Sequence, residues 1–334
     1  MDLRLTPEQD LLRASVREFA EREIRPNVMA WDEAAGFPHA LVTKMAGLGL
    51  MGIQYPERLG GAAMSALDYC IAIEELARVC PAVSLSVAAH NGLCSAHLYM
   101  FGNAEQQQKY LVPLIRGEYL GAWGLTEPGA GSDAGAMRTT AVKDGDGWVL
   151  NGAKQFITHG SVGGVIVAMA VTDRSKGSKG ISAFVIPRGT PGMRAGRKEH
   201  KLGMRASDTS EVLFEQCKVG PEALVGVEGQ GFINTLQVLD AGRIGIAALS
   251  VGLAQGAYEA ALHYAQERRQ FGQPIAAFQA IRWKLADLAV KIEAARLLTY
   301  RAAVMKDEGA PRTSLESSIA KLYASEVAVR AAEE

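Results

Sequence analysis

A chain of 334 residues with a formal net charge of −1 and 21% charged residues has room for a large apolar core and for two or three domains. Acidic and basic residues are interspersed, with no block of like charge that would favour a polyanion, so no nucleic-acid partner is expected. The four cysteines (Cys70, Cys80, Cys94, Cys217) form no CxxC and have no histidine at metal-ligand spacing, so neither a disulfide framework nor any metal is expected.

The opening Met1-Asp-Leu-Arg-Leu-Thr6 has neither an apolar signal core nor a basic amphipathic pattern, and a soluble, cytoplasmic chain without a targeting segment is expected. Thr6, Pro7 and Gln9 read as an N-cap, an N1 proline and a capping-box partner. Apolar residues then recur at helical spacing until Pro26. A second helix opens at Pro38 and closes in the glycine-punctuated stretch from Gly47 to Gly61. Further helices are predicted over 65–78, 84–101 and 105–115, with Gly102-Asn103 stopping the middle one. Residues 1–121 are thus expected to form an all-helical domain.

After Gly121 the pattern changes to short β-branched or aromatic runs at 147–150, 155–158, 165–171, 181–187 and 211–214. Asp-Gly, Gly-Gly, Lys-Gly and Pro-Gly turns separate them, and no helical period intervenes. That predicts a middle antiparallel, barrel-like β-domain over 122–230 rather than βαβ units. The apolar run at 162–171 is too short to span a bilayer, and no membrane insertion is expected. From Gly231 long alanine-rich helices return, predicted over 232–267, 275–307 and 313–334, suited to a helical bundle. Gly252 and Gly256, four apart, predict a close helix contact. A membrane GxxxG reading fails because charged residues flank and interrupt the helix. The final helix has no glycine, asparagine or proline stop after Arg330-Ala-Ala-Glu-Glu334, so a C-terminally truncated chain is expected.

The stretch Trp123-Gly-Leu-Thr-Glu-Pro-Gly-Ala-Gly-Ser-Asp133 gives up helix and strand propensity for exposed amides and hydroxyls. Gly129-x-Gly131-x-x-x-Gly135 looks like a loosened dinucleotide fingerprint. A Rossmann loop, however, needs a strand directly before it and a helix directly after, and this context supplies neither. On residues alone the loop is either an anion nest, with Thr126 and Ser132 as hydroxyl donors, or an interdomain turn in which Glu127 and Asp133 are ordinary turn and cap residues. Gln155-Phe-Ile-Thr158 would place Phe156 and Thr158 on one strand face and Ile157 on the other. Glu267-Arg-Arg-Gln-Phe-Gly272 joins two helices and could equally be a basic helix end with a C′ glycine. None of the six histidines has a triad-like context.

Taken together the chain resembles the acyl-CoA dehydrogenase family. Five segments carry the resemblance in order: Trp123 to Asp133; Gln155 to Thr158; Lys201-Leu-Gly-Met-Arg-Ala-Ser-Asp-Thr209; Leu239-Asp-Ala-Gly-Arg-Ile244; and Arg268-Arg-Gln-Phe-Gly272 with Gln279. The resemblance implies an α+β, mainly α fold with an N-terminal helical domain, a middle β-domain and a C-terminal four-helix bundle over 231–334, assembled as a homotetramer. It implies FAD, held by Trp123, Leu125, Thr126, Gly131 and Ser132 of the loop and by Phe156, Ile157 and Thr158 of the strand, with Arg268, Gln270, Phe271 and Gln279 embracing the adenine and diphosphate half of an FAD shared across the subunit interface. Phe156 stands where the family usually has a tryptophan. Ser132, Asp240 and Arg243 match positions that approach the acyl-CoA.

The implied chemistry is α,β-dehydrogenation of an acyl-CoA thioester, with electrons passed to an electron-transfer flavoprotein. A carboxylate takes the α-proton as Cβ delivers a hydride equivalent to the flavin. Residues 84–101, with Ala89-His-Asn-Gly92, resemble the short- and medium-chain branch. The family's usual Glu-Gly-Thr base motif is absent, and the position used by a branched- and long-chain subset is Gly242 here. No catalytic base is therefore expected within these residues; the glutamate is expected beyond Glu334. An acyl-CoA oxidase or flavin monooxygenase on the same scaffold, or a non-catalytic helical assembly protein, are the alternatives.

Overall fold

The computed structural model describes residues 4–334; the first three residues of the expected leaderless start lie outside the described residues. In the N-terminal third the helices are α1 (Pro7–Phe19), α2 (Val28–Glu33), α3 (His39–Gly47), α4 (Ala66–Val79), α5 (Pro81–Ala89), α6 (Ala96–Phe101), α7 (Ala104–Gln106) and α8 (Val112–Ile115). The strands β1 (Gly121–Gly124), β2 (Thr140–Asp144), β3 (Gly147–Thr158), β4 (Val165–Val171), β5 (Ile181–Pro187), β6 (Met193–Lys198), β7 (Thr209–Val219) and β8 (Leu224–Val225) follow. The long helix α9 (Gly231–Glu267), a hairpin of β9 (Arg269–Gln270) and β10 (Gln273–Pro274), α10 (Gln279–Asp307) and α11 (Ser314–Glu333) complete the chain.

Local signals set many of these limits. Thr6 and Gln9 close a capping box on α1, and Ser65 with Asp68 closes another on α4. The predicted helices over 84–101 and 105–115 are each interrupted by a π-helical segment, at His90–Ser95 and Gln107–Leu111. Each such segment carries an extra residue per turn, an adjustment that reflects packing and leaves no mark in local propensity.

One compact unit comprises the described residues up to Ala30, Met64–Leu85 and Asp240–Glu334. Within it α4 is buried almost all round and α9 lies directly on it. A Cβ added at Gly252 would sit 2.2 Å from the Glu74 carbonyl oxygen, and one at Gly256 would sit 2.1 Å from that of Arg78. The expected close contact at the glycine pair is present, and it is made against α4. The Asp307 carboxylate at the end of α10 accepts from the Ala66 and Leu67 amides, at 2.6 and 3.0 Å, capping the N-terminus of α4. Glu74 is buried and accepts from Arg296 Nε and the Tyr300 hydroxyl, both at 2.9 Å. By length and composition α9 could cross a membrane, with mean hydropathy 1.4 over an 18-residue window, a property that a buried core helix shares; half of that window is buried within the protein.

The second unit comprises Trp31–Ala63 and Ser86–Leu239. Its eight-stranded sheet runs in the order β6-β7-β3-β2-β4-β5-β8, with β1 added alongside β4. Most pairs are antiparallel, as the turn-rich sequence predicts. β4 carries the exceptions: β1 runs parallel to it with Gly121 opposite Val165, and β2 meets it in parallel at Thr140 and Val171. β1 enters the sheet from α8 and not through a hairpin, so no tight turn imposes an antiparallel partner. Both faces of the centre are covered. Val165, Val167, Met169 and Val171 join one apolar cluster with Trp123 and Val185, while Ile166, Ala168 and Ala170 join another with Trp148 and Phe184. That double burial is why β4 reads as an unbroken apolar run.

Candidate functional site

The loop after β1 is tied to its surroundings at several points. Trp123 lies in the core, its indole N–H donating to His97 Nδ1 at 3.3 Å. Glu127 and Ala130 exchange backbone hydrogen bonds of 3.0 and 3.1 Å, closing a turn with Pro128 and Gly129 at its corners. Gly131, Ser132 and Asp133 are exposed beyond it. A Cβ added at Gly129 or Gly131 would meet no atom within 4 Å.

Strand β3 reaches this loop through a bulge. Lys154 pairs with Val212 and Ile157 with Ser210, so β3 carries one extra residue over that interval. Phe156 adopts φ +59° there and is 59% exposed, whereas Ile157 is buried and Thr158 half-buried. At the bulge the Gln155 amide donates to the Thr126 carbonyl at 2.8 Å. Thr126, Phe156 and Thr158 are thereby carried on two segments held together by a backbone hydrogen bond.

Reading the sequence missed the residue that fixes this arrangement. Lys154 has no exposed surface; its Nζ donates to Glu127 Oε1 at 2.7 Å and to the Leu125 carbonyl at 3.2 Å. Glu127, taken for an ordinary turn residue, is buried, and its carboxylate also accepts from the Arg138 and Thr139 amides at 2.5 and 3.0 Å. Burial alone would raise the Glu127 pKa. The Lys154 charge and these hydrogen bonds outweigh it and hold the carboxyl below its usual range. Burial pushes the Lys154 pKa down, against the pull of Glu127. A signal existed: Lys154 shares strand parity with Trp148 and Leu150, so the sequence places a lysine on the inward face.

The remaining candidates belong to the other unit. Phe271 and Gly272, at φ +50° and +80°, form the corners of the β9–β10 hairpin, the signature of a type I′ turn. Phe271 is 93% exposed, its ring edge-on to Phe278 at 6.0 Å. Arg268 and Gln270 are exposed beside it, and Gln279 is the exposed first residue of α10. On α9 Asp240 pairs with Arg243 and accepts from Ser314 Oγ at 2.6 Å. Gly242, between them, carries no side chain. A polar cavity of about 720 Å³ in this unit is lined by Arg13, Arg17, Glu74, Gln255, Arg296 and Tyr300. These arginines face carboxylates, and no candidate residue lines the cavity.

The donor set fits FAD. Among the described residues the Thr126 N–H meets no acceptor. Hydroxyls at Thr126 and Ser132 and the open faces of Gly129 and Gly131 lie near it in sequence, and the tied strand carries Thr158 and the exposed Phe156 ring. Such a surface offers donors for an acceptor-rich planar ring and an apolar wall beside them.

The chain matches family models for the acyl-CoA dehydrogenase N-terminal domain over residues 6–118, the middle domain over 122–217 and the C-terminal domain over 229–334. It is 49% identical over 329 residues to a short-chain specific acyl-CoA dehydrogenase of Clostridium acetobutylicum, covering 98% of this chain and 86% of that protein. Among solved structures it resembles butyryl-CoA dehydrogenase from Megasphaera elsdenii, with a TM-score of 0.96 at 41% identity over 99% of this chain and 87% of that one. A chain from the structural study of the electron transferring flavoprotein of Acidaminococcus fermentans gives 0.96 at 46% identity, covering 98% and 86%. A Mycobacterium smegmatis glutaryl-CoA dehydrogenase in complex with FADH2 gives 0.93 at 32%, covering 98% and 83%.

Proposed function

The chain belongs to the acyl-CoA dehydrogenase family, and from that premise we propose that it performs FAD-dependent α,β-dehydrogenation of a short- or medium-chain acyl-CoA thioester to the trans-2-enoyl-CoA, passing electrons to an electron-transfer flavoprotein. The observation that carries this is the tied loop and bulge, which present Thr126 and Phe156 together, in a chain similar end to end to a short-chain dehydrogenase.

When bound, FAD supplies the acceptor for the hydride equivalent that leaves the substrate's Cβ. The residues proposed to hold its ring are Trp123, Leu125, Thr126, Gly131 and Ser132 with Phe156, Ile157 and Thr158. Those proposed for its nucleotide half are Arg268, Gln270, Phe271 and Gln279. Thr126 contributes a fixed N–H and a hydroxyl. Phe156 contributes an apolar face that keeps water from the ring, and buried Ile157 anchors the strand that carries it. Ser132, Asp240 and Arg243 are proposed to bind the acyl-CoA. No residue of the chain is assigned the base that takes the α-proton; Gly242 has no carboxylate. A homotetramer, a cytoplasmic location without membrane insertion, and division at 1–121, 122–230 and 231–334 complete the reading, the last supported by the family-model boundaries.

Anaerobic mixing of the FAD-loaded protein with butyryl-CoA or octanoyl-CoA tests it. Bleaching of the flavin, slow re-oxidation in air and fast re-oxidation by electron-transfer flavoprotein are expected. Rapid aerobic re-oxidation with peroxide release would make it an oxidase. A flavin that stays oxidised under both thioesters would leave only a binding role.

A further inference from the structure

Lys154 is among the largest fully buried side chains of the described residues, and its ammonium is aimed at the segment proposed to hold the flavin. We propose that Lys154, with Glu127 as its partner, is a positioning residue for the dehydrogenation, acting on bound FAD through the Leu125–Thr126 peptide. This rests on the reading that the loop holds FAD.

Stability alone does not account for the pair. A buried ion pair contributes little net free energy, and apolar residues of similar volume commonly replace one without loss. What the pair supplies is direction. Lys154 Nζ donates to the Leu125 carbonyl at 3.2 Å. In a trans peptide the N–H points opposite to the C=O, so the Thr126 N–H is turned away from the lysine. A cation at the oxygen end polarises that peptide and strengthens its N–H as a donor. On the other side of Thr126, its own carbonyl is held by the Gln155 amide at 2.8 Å. Both peptide units flanking Thr126 are therefore pinned, and its N–H is left without an acceptor among the described residues. Glu127, anchored by the Arg138 and Thr139 amides, keeps the ammonium from swinging away.

The test uses the FAD-loaded protein and two variants, E127Q and the double variant E127Q/K154M. The double variant removes both charges, so the sheet can fold even if a single change leaves an unpaired charge that unfolds it. We expect its melting temperature to lie near that of wild type. FAD affinity should fall roughly tenfold, the visible flavin bands should shift, and kcat should fall by up to about 10²-fold, the cost of a displacement on the order of 1 Å, with KM for butyryl-CoA changed far less. E127Q, which keeps the Lys154 bond to Leu125, should show the same changes in smaller degree. A stable double variant with wild-type FAD affinity, spectrum and kcat would overturn the proposal. So would losses confined to melting temperature. Wild-type protein that takes up no FAD would overturn the functional reading as well, whereas FAD-loaded wild type matched by the double variant removes only the positioning role.

Discussion

His159 donates its Nδ1 proton to the carbonyl of Gly121 at 3.0 Å, at the first residue of β1. The N–H of the same glycine donates to His90 Nδ1 at 3.2 Å, and His90 Nε2 faces the Leu114 carbonyl at 3.1 Å. Accepting the glycine N–H at Nδ1 requires a neutral His90 ring. The strand that leads into the candidate site therefore starts from a glycine gripped on both polar groups by buried imidazoles.

Acid is expected to weaken the fold from this point. Burial pushes His90 down to about 3 and His97 to about 4, and it lowers His159 as well. All three stay neutral in the native state at pH values where the unfolded chain, titrating near 6.5, binds protons. The stabilisation is complete above about pH 6.5 and is lost as pH falls from there toward 3, at up to about 1.4 kcal/mol per pH unit for each ring. Urea midpoints at pH 7.5, 6.0 and 5.0 should fall in that order. A midpoint flat across this range would refute the linkage.

Gly252→Ala and Gly256→Ala are each expected to destabilise the protein by about 1–3 kcal/mol or more, because the added methyl meets backbone oxygen and not a side chain that can turn aside. The oxygens at 2.2 and 2.1 Å belong to the buried helix α4. Chemical denaturation measures the loss. A wild-type midpoint in both variants would show that α9 can move off α4 freely.

Gly131→Ala separates folding from cofactor binding. Nothing lies within 4 Å of the added Cβ, so stability without FAD should stay within about 0.5 kcal/mol of wild type. FAD affinity should nevertheless drop, since that open face is where the cofactor is proposed to approach. Thr126→Ala should likewise weaken or misorient the flavin and slow its reduction by substrate. Isothermal titration with FAD and stopped-flow reduction read both. Unchanged affinity and unchanged reduction would remove these residues from the site.

Arg296→Leu should cost about 3–5 kcal/mol at pH 7.5, because it leaves the buried Glu74 carboxylate without its cation. Burial already raises the Glu74 pKa against the opposing pull of Arg296. Without the arginine the carboxyl rises further, and a raised carboxyl favours the native state as pH falls through it. The variant's deficit relative to wild type should therefore shrink between pH 7.5 and 5.5. A deficit independent of pH would mean that lost packing, not charge, sets the cost.

Helix limits were legible where a single residue carries the physics: Thr6 as a cap, Gly102 as a stop, and Gly252 with Gly256 as a contact. The loop was legible as a candidate site because glycine and hydroxyl residues displace strand formers there. Its fastening was not. Glu127 beside a proline and a glycine looks like any turn acid, and only the fold brings Lys154, 27 positions away, onto it. The π-helical segments and the parallel placement of β1 depend on neighbours distant in sequence. Positive φ at Phe156 and Phe271 was equally hidden, since phenylalanine has no preference for it.

The bulge in β3 also decides which residues of that strand can share a face. Lys154 and Ile157 are both buried although three residues apart, a spacing that an even two-residue alternation forbids. Deleting Gln155 or Phe156 would give neater pairing with β7, and by local criteria a better strand. It would keep Lys154 and Ile157 on one face, now two residues apart, but it would remove either the Gln155 amide that ties the strand to Thr126 or the exposed Phe156. A design procedure that rewards regular geometry would make that deletion. It would gain an idealised sheet and lose the proposed seat of the flavin.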